Sequence, residues 1–172
     1  MSMIGEKINL RPICMDDVYI LNKWKNDEET YKFLGGGYQP ISRDQYEKWA
    51  ENMIDLTGNN RRFIIENKDF KPIGMIGLYG INWIHGTCET GAFIGEKQEK
   101  GKGFASEAYK ILEKYASSYL NLRKISLKVV SENSAKNFWL SLGYTVVGKL
   151  NKDRYIDGKY CDVLIMEKFI QS

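Results

Sequence analysis

The 172-residue sequence predicts one α/β domain, and three observations carry that prediction. Several short runs alternate apolar and polar residues with period two, the mark of strands. Longer runs place apolar residues at helical spacing. The strand runs come first as a group and then alternate with helical ones, which suits a mixed sheet with helices on its faces. The length suffices for one domain, expected over residues 1–172, with a sizeable core.

Lys7 to Ile13 alternates Ile8, Leu10 and Pro12 with Asn9 and Arg11 and reads as the first strand. Asp16 and Asp17 can cap a helix carrying Val18, Leu21 and Trp24. Gly35-Gly36-Gly37 breaks the pattern and reads as a mobile loop. Ser42 and Gln45 form a capping-box pattern, and Tyr46, Trp49, Met53 and Leu56 follow at helical spacing, so a second helix spans about Ser42 to Leu56. Arg62 to Glu66, Pro72 to Ile81 and Glu89 to Gly95 are β-rich. A long helix opens at Phe104, with Ala108, Ile111, Leu112, Tyr115, Ala116 and Tyr119 on one face. Lys124 to Val130 is a strand, and a short helix from about Asn133 stops at Gly143. Tyr144 to Leu150 and Tyr160 to Glu167 close the order, joined through the hairpin-turn pair Asp157-Gly158. The order is β-α-α-β-β-β-α-β-α-β-β.

Hydrophobic residues make up 43% and charged ones 27%, ordinary for a globular chain. A net charge of +3 is too small for a nucleic-acid partner, and none is expected. Cys14, Cys88 and Cys161 lie far apart, and His85 is the one histidine, so no metal is expected and the thiols read as free. Met1 to Arg11 lack a basic start followed by an apolar run, and no stretch approaches the ~20 apolar residues of a membrane span. The expectation is a cytoplasmic protein with no membrane partner. An exposed apolar helix or strand edge could support a homodimer.

The stretch Gln98-Glu99-Lys100-Gly101-Lys102-Gly103-Phe104-Ala105 carries the most chemistry. Two glycines one residue apart permit a tight turn, and the helix that follows turns its first N–H groups on one spot, which suits a phosphate. Lys100 and Lys102 add charge there. A P-loop requires glycines five apart followed by Lys and Ser/Thr, and a dinucleotide-binding motif requires a third glycine where Ser106 stands. The pattern Gln/Arg-x-x-Gly-x-Gly/Ala fits instead, with Gln98, Gly101 and Gly103.

That pattern resembles the acetyl-CoA pyrophosphate loop of the GNAT N-acetyltransferase superfamily. Lys100 to Ala108 is similar to one branch, which holds the ribosomal-protein N-terminal, spermidine and several amino-sugar acetyltransferases. Asn121 to Ile125, Ser131-Glu132-Asn133, Leu142-Gly143-Tyr144 and Tyr155 to Asp162 match further motifs of that branch. The resemblance covers about Leu10 to Lys168. It implies a mixed, mostly antiparallel sheet flanked by helices. It also implies transfer of an acetyl group from acetyl-CoA to a primary amine by direct attack in a ternary complex. The acceptor would be a protein N-terminus, a polyamine or an amino sugar.

The resemblance assigns the pyrophosphate to the amides of Gly101, Lys102, Gly103, Phe104, Ala105 and Ser106. Polarisation of the thioester carbonyl falls to a backbone N–H around Phe93, Ile94 and Gly95, and a cofactor hydrogen bond to Asn133. A substrate ammonium with pKa ~10 must lose a proton before it attacks. Glu89, in a strand resembling the branch's Ala-Glu-Ile-Gly run, is the candidate base, acting through water. Glu66 and Glu107 are weaker candidates, and Glu107, in the first turns of a helix, suits the helix dipole. Trp24-Lys25-Asn26-Asp27 resembles a branch motif that reads equally as site or core. Gly35 to Pro40, Trp83 to His85 and Asp153 to Asp157 are expected to border the acceptor. Where many relatives carry a tyrosine acid for the leaving thiolate, this chain has Trp139, which can donate a hydrogen bond but is no practical acid. That departure motivates one rival reading, a non-catalytic acyl-CoA-binding or sensing module. A nucleotide-binding regulator is a more distant one.

Overall fold

A computed structural model describes residues 3–171. Seven strands form one sheet: β1 (Ile8–Pro12), β2 (Arg61–Asn67), β3 (Pro72–Asn82), β4 (Thr87–Ile94), β5 (Lys124–Val130), β6 (Thr145–Ile156) and β7 (Lys159–Phe169), in the order β1-β2-β3-β4-β5-β7-β6. All neighbours are antiparallel except β4 and β5. That parallel pairing joins only Thr87–Glu89 to Lys124–Ser126. Beyond it the two strands run on without a partner in each other.

Central strands are apolar on both faces because helices cover both. Phe63 and Ile65 of β2, with Ile76 and Leu78 of β3, pack under α4 (Phe104–Tyr119). Ile64 and Met75, the alternate positions, pack with Val18, Leu21 and Trp24 of α1 (Val18–Lys25). A one-turn α2 (Glu28–Tyr31) follows, which the sequence reading did not separate. Asp27 starts it by accepting from the Thr30 amide at 3.1 Å. Of the expected capping box at Ser42, the N-cap half forms, with Oγ accepting from the Gln45 amide at 3.1 Å, and it opens α3 (Arg43–Met53). That helix ends before the expected Leu56. Its buried face is Tyr46 and Ala50, while Trp49 is exposed.

The short α5 (Ala135–Ser141) puts Trp139 into the α4-side core. β6 and β7 are longer than expected, and bulges interrupt their register between Val146 and Gly148 and between Leu150 and Arg154. Asp157 and Gly158 both take positive φ, +48° and +81°, as a tight hairpin turn requires. No described helix is long and apolar enough to cross a membrane.

One polar network fixes the first strand to the first helix. The Arg11 guanidinium makes a fork of two 2.7 Å hydrogen bonds to Asp17 and donates through Nε to Glu66. Asp17 also accepts from the Cys14 amide at 2.9 Å. Burial pushes the Asp17 carboxyl up, but the Arg11 fork and that amide outweigh it and hold it below the usual range. A depressed carboxyl contributes stability above its unfolded pKa and loses it as pH falls through the folded one. Asp17→Asn should therefore cost about 2 kcal/mol at pH 7. Denaturant titrations should show the gap from wild type closing below about pH 4.

Candidate active site

The parting of β4 from β5 opens a cleft of about 1050 Å³. One end reaches the α4 face, where Ile94, Lys100, Gly101, Ala105, Asn133 and Trp139 line it. The other lies on the α1 face, lined by Glu29, Tyr31, Phe33, Tyr79, Asp153 and Arg154. Glu89 lies at the fork, directly across from Tyr79 on β3 and Ser126 on β5. Its carboxylate is exposed to the cleft and makes no hydrogen bond or ion pair among the described residues.

The glycine loop forms at the α4 end. Gly101 and Gly103 take φ of +77° and +80°. The backbone N–H groups of Gly101, Lys102, Gly103, Phe104, Ala105 and Ser106 find no acceptor among the described residues. A run of free donors at the positive end of a 16-residue helix is a cradle for an anion, and it fits a pyrophosphate. The ammonium of Lys102 pairs with Glu99 at 2.8 Å, so its side chain adds less charge than expected. Gln98 is exposed, its amide nitrogen turned to Glu96 at 3.4 Å, and it does not line the cleft.

Strand alternation sorts the β4 amides. Gly95 donates to the Ile73 carbonyl at 2.8 Å, so it faces β3, and Phe93 two residues back faces the same way. The intervening amides, Ala92 and Ile94, face the gap left by β5. Of Phe93, Ile94 and Gly95, only Ile94 turns its N–H to the cleft. The Phe93 ring instead packs edge-on to Trp24 and Tyr31, with centroids 5.9 and 5.2 Å apart. Gly95 is glycine because Trp24 fills the space its side chain would need. Trp24 is thus a core residue that also anchors the loop, its indole N–H donating to Glu96 at 2.9 Å.

Asn133 lines the cleft, and its Oδ1 accepts from the Ala135 amide at 3.1 Å, which leaves the Nδ2 donor free. Trp139 is packed by Tyr109 at 4.6 Å and Tyr144 at 5.2 Å between ring centroids. Its indole N–H has no acceptor among the described residues. Tyr109 is fully buried and shares a 2.6 Å hydrogen bond with Thr90. Thr90 spends its own proton on the Gly77 carbonyl, so the phenol is the donor. Burial, then the neighbouring Glu89 charge, pushes the Cys88 thiol up to about 12, which leaves no thiolate there at neutral pH.

The other candidate carboxylates lie elsewhere. Glu66 is buried in the Arg11 network, and Glu107 accepts from the backbone amides of Glu6 and Lys7. Trp83 to His85 form the turn between β3 and β4 and do not line the cleft, contrary to expectation. Tyr79, which sequence reasoning missed, lies over Gly77, where a Cβ would come 2.6 Å from its Oη. Burial raises its phenol pKa against the opposing pull of Arg62. The α1-side rim of the cleft carries two ties that no local signal announces. Arg154 donates to the Phe33 carbonyl at 3.0 Å, and Lys32 pairs with Asp157 at 3.2 Å.

Gly103→Val would place a branched side chain at positive φ in front of the free amides. Calorimetry should show acetyl-CoA affinity reduced more than about tenfold, with the far-UV spectrum unchanged. Wild-type affinity would contradict the loop assignment.

Residues 7–138 match the family described as the acetyltransferase (GNAT) domain. The spermidine N(1)-acetyltransferase of Vibrio cholerae is 36% identical over 162 residues, covering 93% of this chain and 91% of that enzyme. A crystal structure of spermidine N-acetyltransferase from Vibrio cholerae in complex with CoA and spermine is similar at TM-score 0.87 and 28% identity, over 96% of both chains. A dodecameric structure of the Vibrio cholerae enzyme matches at TM-score 0.82 and 29% identity, over 96% of this chain and 95% of that one. The chain belongs to the GNAT acetyltransferase family and is an acetyl-CoA-dependent N-acetyltransferase that acts on an amine.

Proposed function

We propose that the acceptor is a polyamine of the spermidine and spermine class, and that Glu89 takes the proton from its attacking nitrogen. The observation that carries this is the acidic, aromatic lining of the α1 end of the cleft. Glu29, Glu89 and Asp153 line it together with Tyr31, Tyr79 and Phe93; Glu29 pairs with Lys97 at 3.0 Å, and Glu89 and Asp153 have no ion pair among the described residues. Ammonium groups gain from carboxylates by charge and from ring faces by cation–π attraction. Of the two cations lining that end, Lys128 and Arg154, the second is held by the Phe33 carbonyl. A phosphorylated sugar acceptor would meet the same carboxylates as repulsion. The spermidine-acetylating relatives and the CoA–spermine complex support the same acceptor class.

Acetyl-CoA brings an activated thioester. The amides of Gly101 to Ser106 hold its pyrophosphate, and Asn133 Nδ2 donates to its pantetheine arm. The Ile94 amide, with Ala92 beside it, faces the thioester carbonyl, where one oriented donor is worth about 3 kcal/mol to developing negative charge. At neutral pH an acceptor amine with pKa ~10 arrives as ammonium. Glu89 removes that proton through a water, and the nitrogen attacks directly. The buried, protonated Cys88 supports direct attack over an acetyl-enzyme. As the C–S bond breaks, the nitrogen gives its second proton to water; Trp139 gives the leaving sulfur a hydrogen bond and no proton, so the thiolate takes its proton from water. The dodecameric relative supports self-assembly of this chain, and a cytoplasmic location suits both small-molecule substrates.

The test is thiol release from acetyl-CoA with spermidine, spermine, UDP-linked amino sugars and Ala- or Ser-starting peptides. Turnover confined to the polyamines is expected. Turnover confined to an amino sugar or a peptide would overturn the acceptor assignment. Glu89→Gln should lower kcat by about 10²-fold or more while the Kd for acetyl-CoA stays unchanged. Wild-type kcat from pH 6 to 9 would remove Glu89 from the mechanism.

A further inference from the structure

We infer that Lys7 is a phosphate ligand for acetyl-CoA and that Glu107 is the positioning residue that delivers it. The inference rests on the reading of Gly101–Ser106 as the pyrophosphate loop. It begins with a short arm ahead of β1 that folds back on itself. The Gly5 amide donates to the Ile8 carbonyl and the Leu10 amide to the Met3 carbonyl, both at 2.8 Å. Lys68 Nζ pins the arm from β2's far end, donating to the Gly5 carbonyl at 2.5 Å and to Asn9 Oδ1 at 2.9 Å.

Glu107 makes the attachment to the helix that carries the loop. Its carboxylate accepts from the Glu6 amide and, at 3.0 and 3.1 Å, from the Lys7 amide. A Cβ on Gly5 would run into this carboxylate and come within 2.8 Å of the Ile8 backbone carbonyl, so glycine fits where the arm meets the helix. A free carboxylate in the first turn of α4 would oppose an anion bound at the same helix end. The two arm amides answer its charge, and Lys7 brings an ammonium to replace what it would have cost. Lys7 Nζ lies 3.8 Å from where a side chain on Gly103 would begin, and it has no carboxylate partner among the described residues. Lys102, inside the loop itself, is paired with Glu99. Lys100 lines the cleft without an ion pair among the described residues, and Lys7, almost a hundred positions away in sequence, adds a second such cation on the Gly103 side of the loop.

Calorimetry with CoA and with 3′-dephospho-CoA tests this on the intact chain. Lys7→Gln should weaken CoA binding about five- to tenfold and flatten its salt dependence, and Lys7→Arg should restore both. A loss shared by the two ligands assigns Lys7 to the pyrophosphate, and a loss seen only with CoA assigns it to the 3′-phosphate. Unchanged affinity in Lys7→Gln overturns the inference. If Gly103→Val abolishes binding and Lys7→Gln does not weaken it, this inference alone fails. If Gly103→Val also binds normally, the loop reading has failed. Glu107→Ala should weaken CoA binding by a similar factor, and adding Lys7→Gln to it should change little. A full additional loss in the double variant would end the positioning role of Glu107.

Discussion

The structure turns on the point where β4 and β5 stop pairing. Up to Glu89 and Ser126 they are an ordinary parallel pair. Past it each strand is held by its other neighbour. β4 stays in register with β3 as far as Ile94, and Trp24 clamps its end by filling the space beside Gly95 and bonding Glu96. β5 stays with β7, and the Ser131 amide continues the ladder onto the Asp162 carbonyl at 3.0 Å. The gap exposes the Ala92 and Ile94 amides, which a sheet interior would have paired. It also gives one cavity access to both faces of the sheet. A donor can then lie on the α4 side and an acceptor on the α1 side, with Glu89 where they meet.

The two ends of that cavity are chemically opposite, and backbone does much of the sorting. The α4 end gathers, at a helix terminus, N–H groups that have no acceptor among the described residues, with Lys7 beside them, which suits an anion. The α1 end gathers carboxylates and rings, side-chain groups that suit the cationic acceptor proposed above. Between them the wall is committed: Thr90 is used twice, by Gly77 and by Tyr109, and Tyr109 in turn supports Trp139. A wall of satisfied hydrogen bonds and edge-on rings is rigid, which keeps the two substrates in a fixed relation.

The parts legible in the sequence were those that local chemistry determines. Positive φ at Gly101 and Gly103, the Ser42 cap, the Asp157-Gly158 turn and the alternating strands all follow from residues within a few positions of one another. Glu89 stood out because its strand resembles a family motif, and the fold leaves its side chain exposed in the cleft. What was hidden depends on distant partners. Glu66, Glu89 and Glu107 are alike as letters, yet the fold pairs the first with Arg11, leaves the second free and spends the third on an arm a hundred residues upstream. Arg154 and Phe33 meet only because β6 runs beside the segment after α2. The β6 bulges and the outward turn of Trp49 likewise follow from tertiary register, which periodicity does not encode.

Trp139 shows how such a site can depart from its family and keep its chemistry. The residue at that position is held on three sides by Tyr109, Phe138 and Tyr144, so an aromatic of some kind is required there by packing. Only the acid is lost. A thiol with pKa near ~8.5 leaves water as a stable enough anion that its protonation need not be coupled to bond cleavage. In the proposed mechanism, deprotonating the incoming ammonium is the harder proton transfer, by the difference between ~10 and neutral pH, and Glu89 offers it a carboxylate with no partner among the described residues. On the mechanism proposed above, the demanding positions are Glu89 and the Ile94 amide, on β4, and the tolerance lies across the gap, on α5.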